Sequence, residues 1–134
     1  MLKVNEIYVS VQGESSYTGL LCVFIRLTGC NLRCEWCDTT HAFYEGRSMS
    51  IDEIVDRVKS FGVNLVEITG GEPLIQESVY PLMNKLIGKG FQVMLETGGS
   101  LSLTKVPRNI IKIMDIKCPG SGEHKNNNLD NLKF

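Results

Sequence analysis

The chain has 134 residues, 43% of them hydrophobic, and a formal net charge of −1 with both signs mixed along its length. That is enough apolar material for one domain, residues 1–134, and it excludes the basic surface a nucleic-acid groove needs. No stretch is long and apolar enough to span a membrane, and Met1–Glu6 lacks a signal-peptide profile, so a cytoplasmic protein with reduced thiols is expected.

Residues 4–11 alternate loosely and read as a strand, running into Gln12-Gly13-Glu14-Ser15-Ser16. Gly13 marks a turn whose polar neighbours face either a ligand or solvent. Residues 20–28 form a nearly continuous apolar strand, as in a parallel sheet covered on both faces. Arg26 is its exception and shares a face with Cys22 and Phe24. A guanidinium inside a covered sheet requires an anion, which is either a structural carboxylate or the carboxylate of a ligand.

Gly29 opens the next segment, Cys30-Asn-Leu-Arg-Cys34-Glu-Trp-Cys37, with the spacing C-x₃-C-x₂-C. Thiolates suit zinc and iron–sulfur clusters. Three of them hold three irons of a [4Fe–4S] cube and leave the fourth open to a small molecule. With His41 they would instead make a Cys₃His zinc site. A disulfide framework fits poorly, since five cysteines is an odd number. Asp38 and Thr39 add hard oxygens of the kind Mg²⁺ prefers.

Ser50-Ile-Asp-Glu53 is a capping box, and Ile51, Ile54, Val55 and Val58 fall on one helical face that closes at Gly62. A strand over 64–69 leads into Gly70-Gly71-Glu72-Pro73, where two glycines would admit a ligand to the backbone and Glu72 would accept from a cationic group. A second helix around Leu82 and Leu86 ends at Gly88-Lys89-Gly90. Strands over 92–96 and 110–116 follow, ending in Thr97-Gly98-Gly99 and Lys117-Cys118-Pro119-Gly120. The tail, Lys125–Asn131, reads as a low-complexity polar tract. The repeated strand–loop–helix order predicts an α/β fold with a parallel sheet or partial barrel. Four strands deliver polar residues at the same end, which predicts one ligand site there.

These residues resemble the radical S-adenosylmethionine enzyme superfamily. Cys30-x₃-Cys34-x₂-Cys37 with Trp36 is similar to its cluster motif, and Thr69-Gly-Gly-Glu-Pro73 to its second motif. Within the superfamily the chain resembles the 7-carboxy-7-deazaguanine synthase family, through Val11-Gln-Gly-Glu14, Phe24–Cys30, Trp36–Thr39, Glu96-Thr-Gly98 and Asp115–Pro119. The resemblance implies a partial parallel (β/α) barrel of the radical SAM type, shortened at the C-terminus. It implies reductive cleavage of S-adenosyl-L-methionine and contraction of 6-carboxy-5,6,7,8-tetrahydropterin to 7-carboxy-7-deazaguanine with loss of ammonia, in queuosine biosynthesis, with no protein general base.

Carried over by residue, Cys30, Cys34 and Cys37 hold a 4Fe-4S cluster and Thr39 holds Mg²⁺. Gly71, Glu72, Glu96, Thr97, Asp115, Ile116 and Lys117 contact S-adenosylmethionine. Val11, Gln12, Gly13, Arg26 and Thr69 contact the pterin. The implied partners are a one-electron donor such as flavodoxin or ferredoxin and a second copy in a homodimer. Cys118 is expected to be a bystander. Two other readings stay open: a glycyl-radical activating enzyme, or a non-catalytic zinc or iron–sulfur module.

Overall fold

A computed structural model describes residues 1–134. Six strands form one mixed sheet: β1 (Leu2–Val11), β2 (Leu21–Leu27), β3 (Arg47–Met49), β4 (Leu65–Gly70), β5 (Gln92–Thr97) and β6 (Ile111–Met114). Their order is β3-β1-β2-β4-β5-β6. From β2 to β6 every pairing is parallel, as the strand–loop–helix order predicts. β1 and the short β3 add antiparallel to the other edge. The sheet stays open, with β3 and β6 at its two ends, so the barrel is partial.

Two helices cover one face. α1 (Ile51–Lys59) starts at the expected capping box: Ser50 Oγ accepts from Glu53 N at 3.2 Å, and Glu53 Oε2 accepts from Ser50 N at 2.6 Å. It ends beyond Lys59, where Gly62 takes a φ of +68°. α2 (Val79–Gly88) lies beside it. Ile54, Val55 and Val58 of α1 and Val79, Leu82, Met83 and Leu86 of α2 pack onto Val23, Ile25, Leu27, Val66, Ile68, Val93 and Leu95 of the sheet.

The opposite face is divided. Its lower half is a small apolar cluster of Cys22, Leu65 and Met94, flanked by Phe24, Ile111 and Ile113. Its upper half carries Arg26, Thr69 and Glu96. β2 is therefore covered on both faces only along its first half, because the second half faces a cavity.

β1 explains its own loose alternation. Its register shifts between Val4 and Glu6, leaving Asn5 as an extra residue. Leu2 and Val4 point to the helix-covered core. After the bulge Ile7 and Val9 take over that side, and Glu6 and Tyr8 turn to the cavity face opposite Arg26 and Phe24.

The polar tail proves structural rather than loose. Asn131 is buried, and its side chain accepts from Leu103 N at 3.0 Å and donates to Gly99 O and Leu101 O at 3.0 and 2.8 Å. Asn127 accepts from Lys117 N and donates to Lys117 O, both at 2.9 Å. Composition cannot reveal this, because such asparagines look like any solvated tract until the chain folds back. Asn131→Ala strands three backbone groups and is expected to cost about 2–3 kcal/mol, readable as a melting temperature lowered by roughly 5–10 °C.

Candidate active site

A cavity of about 430 Å³ opens at the C-terminal ends of β2, β4, β5 and β6. Eleven of the residues singled out in the sequence line it: Cys30, Cys34, Cys37, Thr39, Arg26, Thr69, Gly71, Glu96, Thr97, Asp115 and Lys117.

The cysteine loop is held from several sides. Gly29 N donates to Ala42 O at 2.7 Å, and Gly29 O accepts from Glu72 N at 2.8 Å. Arg33 Nη1 donates to Cys30 O and Leu32 O at 2.8 and 2.7 Å, while its guanidinium lies 4.4 Å from the Phe43 ring centre. Arg33 N donates to Glu123 Oε1 at 2.6 Å, and Glu35 N to Ser121 O at 3.1 Å. These contacts fix the backbone that carries the three thiols.

The donor chemistry fits an iron–sulfur cube. The three thiols are free and face one cavity. Leu32 N donates to Cys30 Sγ at 3.4 Å, and the Lys117 ammonium faces Cys30 and Cys34. Burial pushes the Cys30 thiol up, and the Leu32 bond opposes it. A cation and an amide donor favour the thiolates a cluster needs. The zinc alternative loses its fourth ligand: His41 is not in the cavity, and its Nε2 faces Glu6 Oε1 at 3.9 Å.

The glycines of the β4 turn do a different job from the one expected. A Cβ at Gly70 would lie 2.4 Å from Leu27 O, and one at Gly71 would lie 2.4 Å from Gly29 O and 2.6 Å from Cys30 Cβ. They let the turn close against the cysteine loop, although Gly71 still shows backbone to the cavity. Glu72 also departs from expectation. It is 1% exposed and outside the cavity lining. Its Oε1 accepts from Leu74 N at 3.0 Å and its Oε2 from Gly98 N at 2.9 Å, and Thr97 Oγ1 reaches both oxygens at 3.0 and 2.8 Å. Burial raises its pKa and these donors pull it back. It ties the β4 turn to the β5 turn and has no side-chain oxygen directed at a ligand.

Arg26 finds a structural anion. Its Nε donates to Glu6 Oε1 at 2.8 Å and its Nη2 to Tyr8 Oη at 3.0 Å. Its side chain is 17% exposed and borders the cavity. Thr69 Oγ1 donates to Glu96 Oε2 at 2.8 Å. Thr39 Oγ1 donates to Asp38 Oδ1 at 2.9 Å, and Lys117 pairs with Asp115. Val11, Gln12, Gly13 and Ile116 lie outside the lining. Gln12 is a strut: its Oε1 accepts from Glu14 N at 3.0 Å, its Nε2 donates to Glu67 Oε2 at 2.5 Å, and its backbone bonds to Leu20 and Gly19.

Sequence reasoning passed over Phe43 and Glu67 and gave Glu14 no role of its own, while Asp38, the expected hard oxygen, and Trp36, of the cluster motif, both line the cavity. Glu14 borders the cavity facing Glu96, Asp115 and Asp38, whose charges, Glu96's foremost, raise its pKa. Glu67 offered one signal, a carboxylate within an otherwise apolar strand.

Comparison with known proteins agrees with this geometry. The Radical SAM superfamily model matches residues 24–117. A 7-carboxy-7-deazaguanine synthase from Koribacter versatilis (strain Ellin345) is 51% identical over 133 residues, covering 98% of this chain and 59% of the relative. One from Chlorobaculum tepidum is 46% identical over 126 residues, covering 94% and 57%. The crystal structure of QueE from Escherichia coli is similar with a TM-score of 0.76 at 29% identity, covering 84% of this chain and 58% of that one. The chain thus spans less than two thirds of the length of the curated relatives it matches.

Proposed function

The chain belongs to the radical SAM superfamily, and from that premise we propose that it carries the cluster-bearing part of a 7-carboxy-7-deazaguanine synthase. It would act on 6-carboxy-5,6,7,8-tetrahydropterin as a carbon–nitrogen lyase in queuosine biosynthesis. The observation that carries this reading is the meeting, in one cavity, of three thiols and a half-buried arginine at the ends of parallel strands. The names of relatives at 51% and 46% identity support it.

When bound, the [4Fe–4S] cluster and S-adenosylmethionine supply one-electron chemistry that amino-acid side chains lack. The chain's own work is to hold and orient. Cys30, Cys34 and Cys37 are the cluster ligands. Gly71 offers backbone to S-adenosylmethionine, and Glu96, Thr97, Asp115 and Lys117 surround it. Thr39, beside Asp38, supplies a hard oxygen for Mg²⁺. Thr69 faces the pterin, and Arg26 takes its carboxylate with the edge that Glu6 and Tyr8 leave free. Val11 and Gly13 contribute through the loop that Gln12 braces. A reductant such as flavodoxin or ferredoxin provides the electron, the enzyme works in the cytoplasm, and the open sheet edges favour a homodimer. No helix is long and apolar enough to cross a membrane.

The test is electron paramagnetic resonance of anaerobically reconstituted, reduced protein, followed by turnover of the pterin. A [4Fe–4S]⁺ signal altered by S-adenosylmethionine, with 7-carboxy-7-deazaguanine and ammonia as products, is the expected result. A cluster that the cofactor leaves unchanged would overturn the enzyme reading. Arg26→Ala is expected to weaken the carboxylated pterin by about 10–100-fold, the range of a charged hydrogen-bonded pair, while reductive cleavage of S-adenosylmethionine persists. Unchanged pterin affinity would remove Arg26 from the substrate site.

A further inference from the structure

Glu67 is a buried carboxyl that the proposed function does not use. It sits on β4 two residues before Thr69, on the same face, and beneath the cavity rather than in its wall. It is 3% exposed. Gln12 Nε2 donates to its Oε2 at 2.5 Å, and Met94, its neighbour in register on β5, lies alongside. It takes part in none of the chain's six ion pairs. A buried carboxylate without a cation is costly, and keeping its proton removes the cost.

The place of that proton follows from the neighbouring strand. Glu96 is the acidic neighbour of Glu67: it follows Met94 by two residues on the same face of β5, and Thr69, on the Glu67 face of β4, bonds to it. Two carboxyl groups bond to each other only when one retains a proton. Glu96 Oε2 already accepts from Thr69 Oγ1 and lines the cavity, so Glu96 is the accepting member.

We propose that Glu67 keeps its proton and donates it to Glu96, making Glu67 a positioning residue that fixes Glu96 toward the cavity and holds a proton one hydrogen bond away from any ligand there. Thr69 and Glu67 then brace Glu96 from two sides, and its remaining lone pairs serve an N–H or O–H donor on the ligand. The charged and titratable groups facing Glu67 are all acidic: Glu96 from β5, Glu14 from the loop after β1, and Cys22 from β2, whose thiol is pushed up to about 12 by burial and by Glu67. Burial first, and then Glu96, push Glu67 up to about 7, against the pull of the Gln12 bond. The proposal rests on the cavity alone and stands whatever reaction the cavity runs.

Glutamine at position 67 reproduces the protonated carboxyl: its amide donates to Glu96 and its oxygen accepts from Gln12. The sign of the pH effect follows from the raised pKa. The group's contribution to stability is complete below the ordinary carboxyl range and is lost as pH rises through about 7. Glu67→Gln lacks that loss. The experiment uses the full chain without cofactors, and reads infrared carboxyl bands and melting temperature from about pH 5 to about pH 9.

Wild type is expected to show a protonated carboxyl band that titrates near neutrality and is absent from Glu67→Gln. Its melting temperature should fall relative to that of Glu67→Gln by about 5 °C across the range. Glu96→Gln should move the titration down by about one pH unit, since a neighbouring charge is gone. Glu67→Ala should be clearly less stable than Glu67→Gln. Absence of a protonated carboxyl in wild type at about pH 6 overturns the proposal without any variant. So does a titration that Glu96→Gln leaves in place, or a Glu67→Gln as unstable as Glu67→Ala.

Discussion

Glu72→Gln is expected to destabilise the protein by about 2–4 kcal/mol, although the side chain keeps its size and shape. Both oxygens of Glu72 receive backbone donors, Leu74 N on one and Gly98 N on the other. An amide places an NH₂ against one of those donors whichever way it turns. The Thr97 hydroxyl, which reaches both oxygens, loses one of them as well. Denaturant unfolding measures the cost, and hydrogen exchange should report it first at the turns after β4 and β5. The same change at Glu67 is expected to be tolerated, because that carboxyl meets a donor on one side and an acceptor on the other. A pair of isosteric substitutions with opposite outcomes separates a carboxylate held by donors from a carboxyl that keeps its proton. Equal costs at the two positions would contradict the contacts described for at least one of them.

Cys34→Ala should reduce iron incorporation on anaerobic reconstitution from about four atoms per chain to fewer than about one, since each of the three thiolates ligates one iron of the cube. Iron and sulfide analysis with the visible absorption of the cluster gives the result. Cys30→Ala and Cys37→Ala should behave alike. Cys22→Ala and Cys118→Ala are the controls, because Cys22 is buried in the lower apolar cluster and Cys118 is exposed outside the cavity lining. Full cluster content in Cys34→Ala would remove the C-x₃-C-x₂-C segment from its assigned role.

The parallel strands and the end at which they open were legible because each is a short apolar run followed by glycine and polar residues. The cysteine triad was legible because spacing carries its chemistry. Glu72 and Gln12 were read as ligand contacts because they sit inside a motif, and a motif does not say which way a side chain points. Both turn inward and tie loops together. Gly70 and Gly71 were read as room for a ligand, whereas the crowding comes from the β2 strand end and the cysteine loop. Asn127 and Asn131 leave no local pattern, because their side chains meet backbone groups about ten and about thirty residues back along the chain. β3 is three residues long and has no periodicity to detect.

The bulge at Asn5 makes β1 unequal in its tolerance of length changes. Removing Asn5 leaves Val4 opposite Leu27 and Glu6 opposite Arg26, with every later residue on its present side. Removing any one residue from Glu6 to Ser10 instead exchanges sides for the remainder of the strand. Ile7 or Val9 would then take the place of Glu6 or Tyr8, the two partners of Arg26, and Tyr8 or Ser10 would carry a polar oxygen into the helix-covered layer. Insertions and deletions among natural variants of this chain should therefore collect at position 5 and spare the six residues that follow.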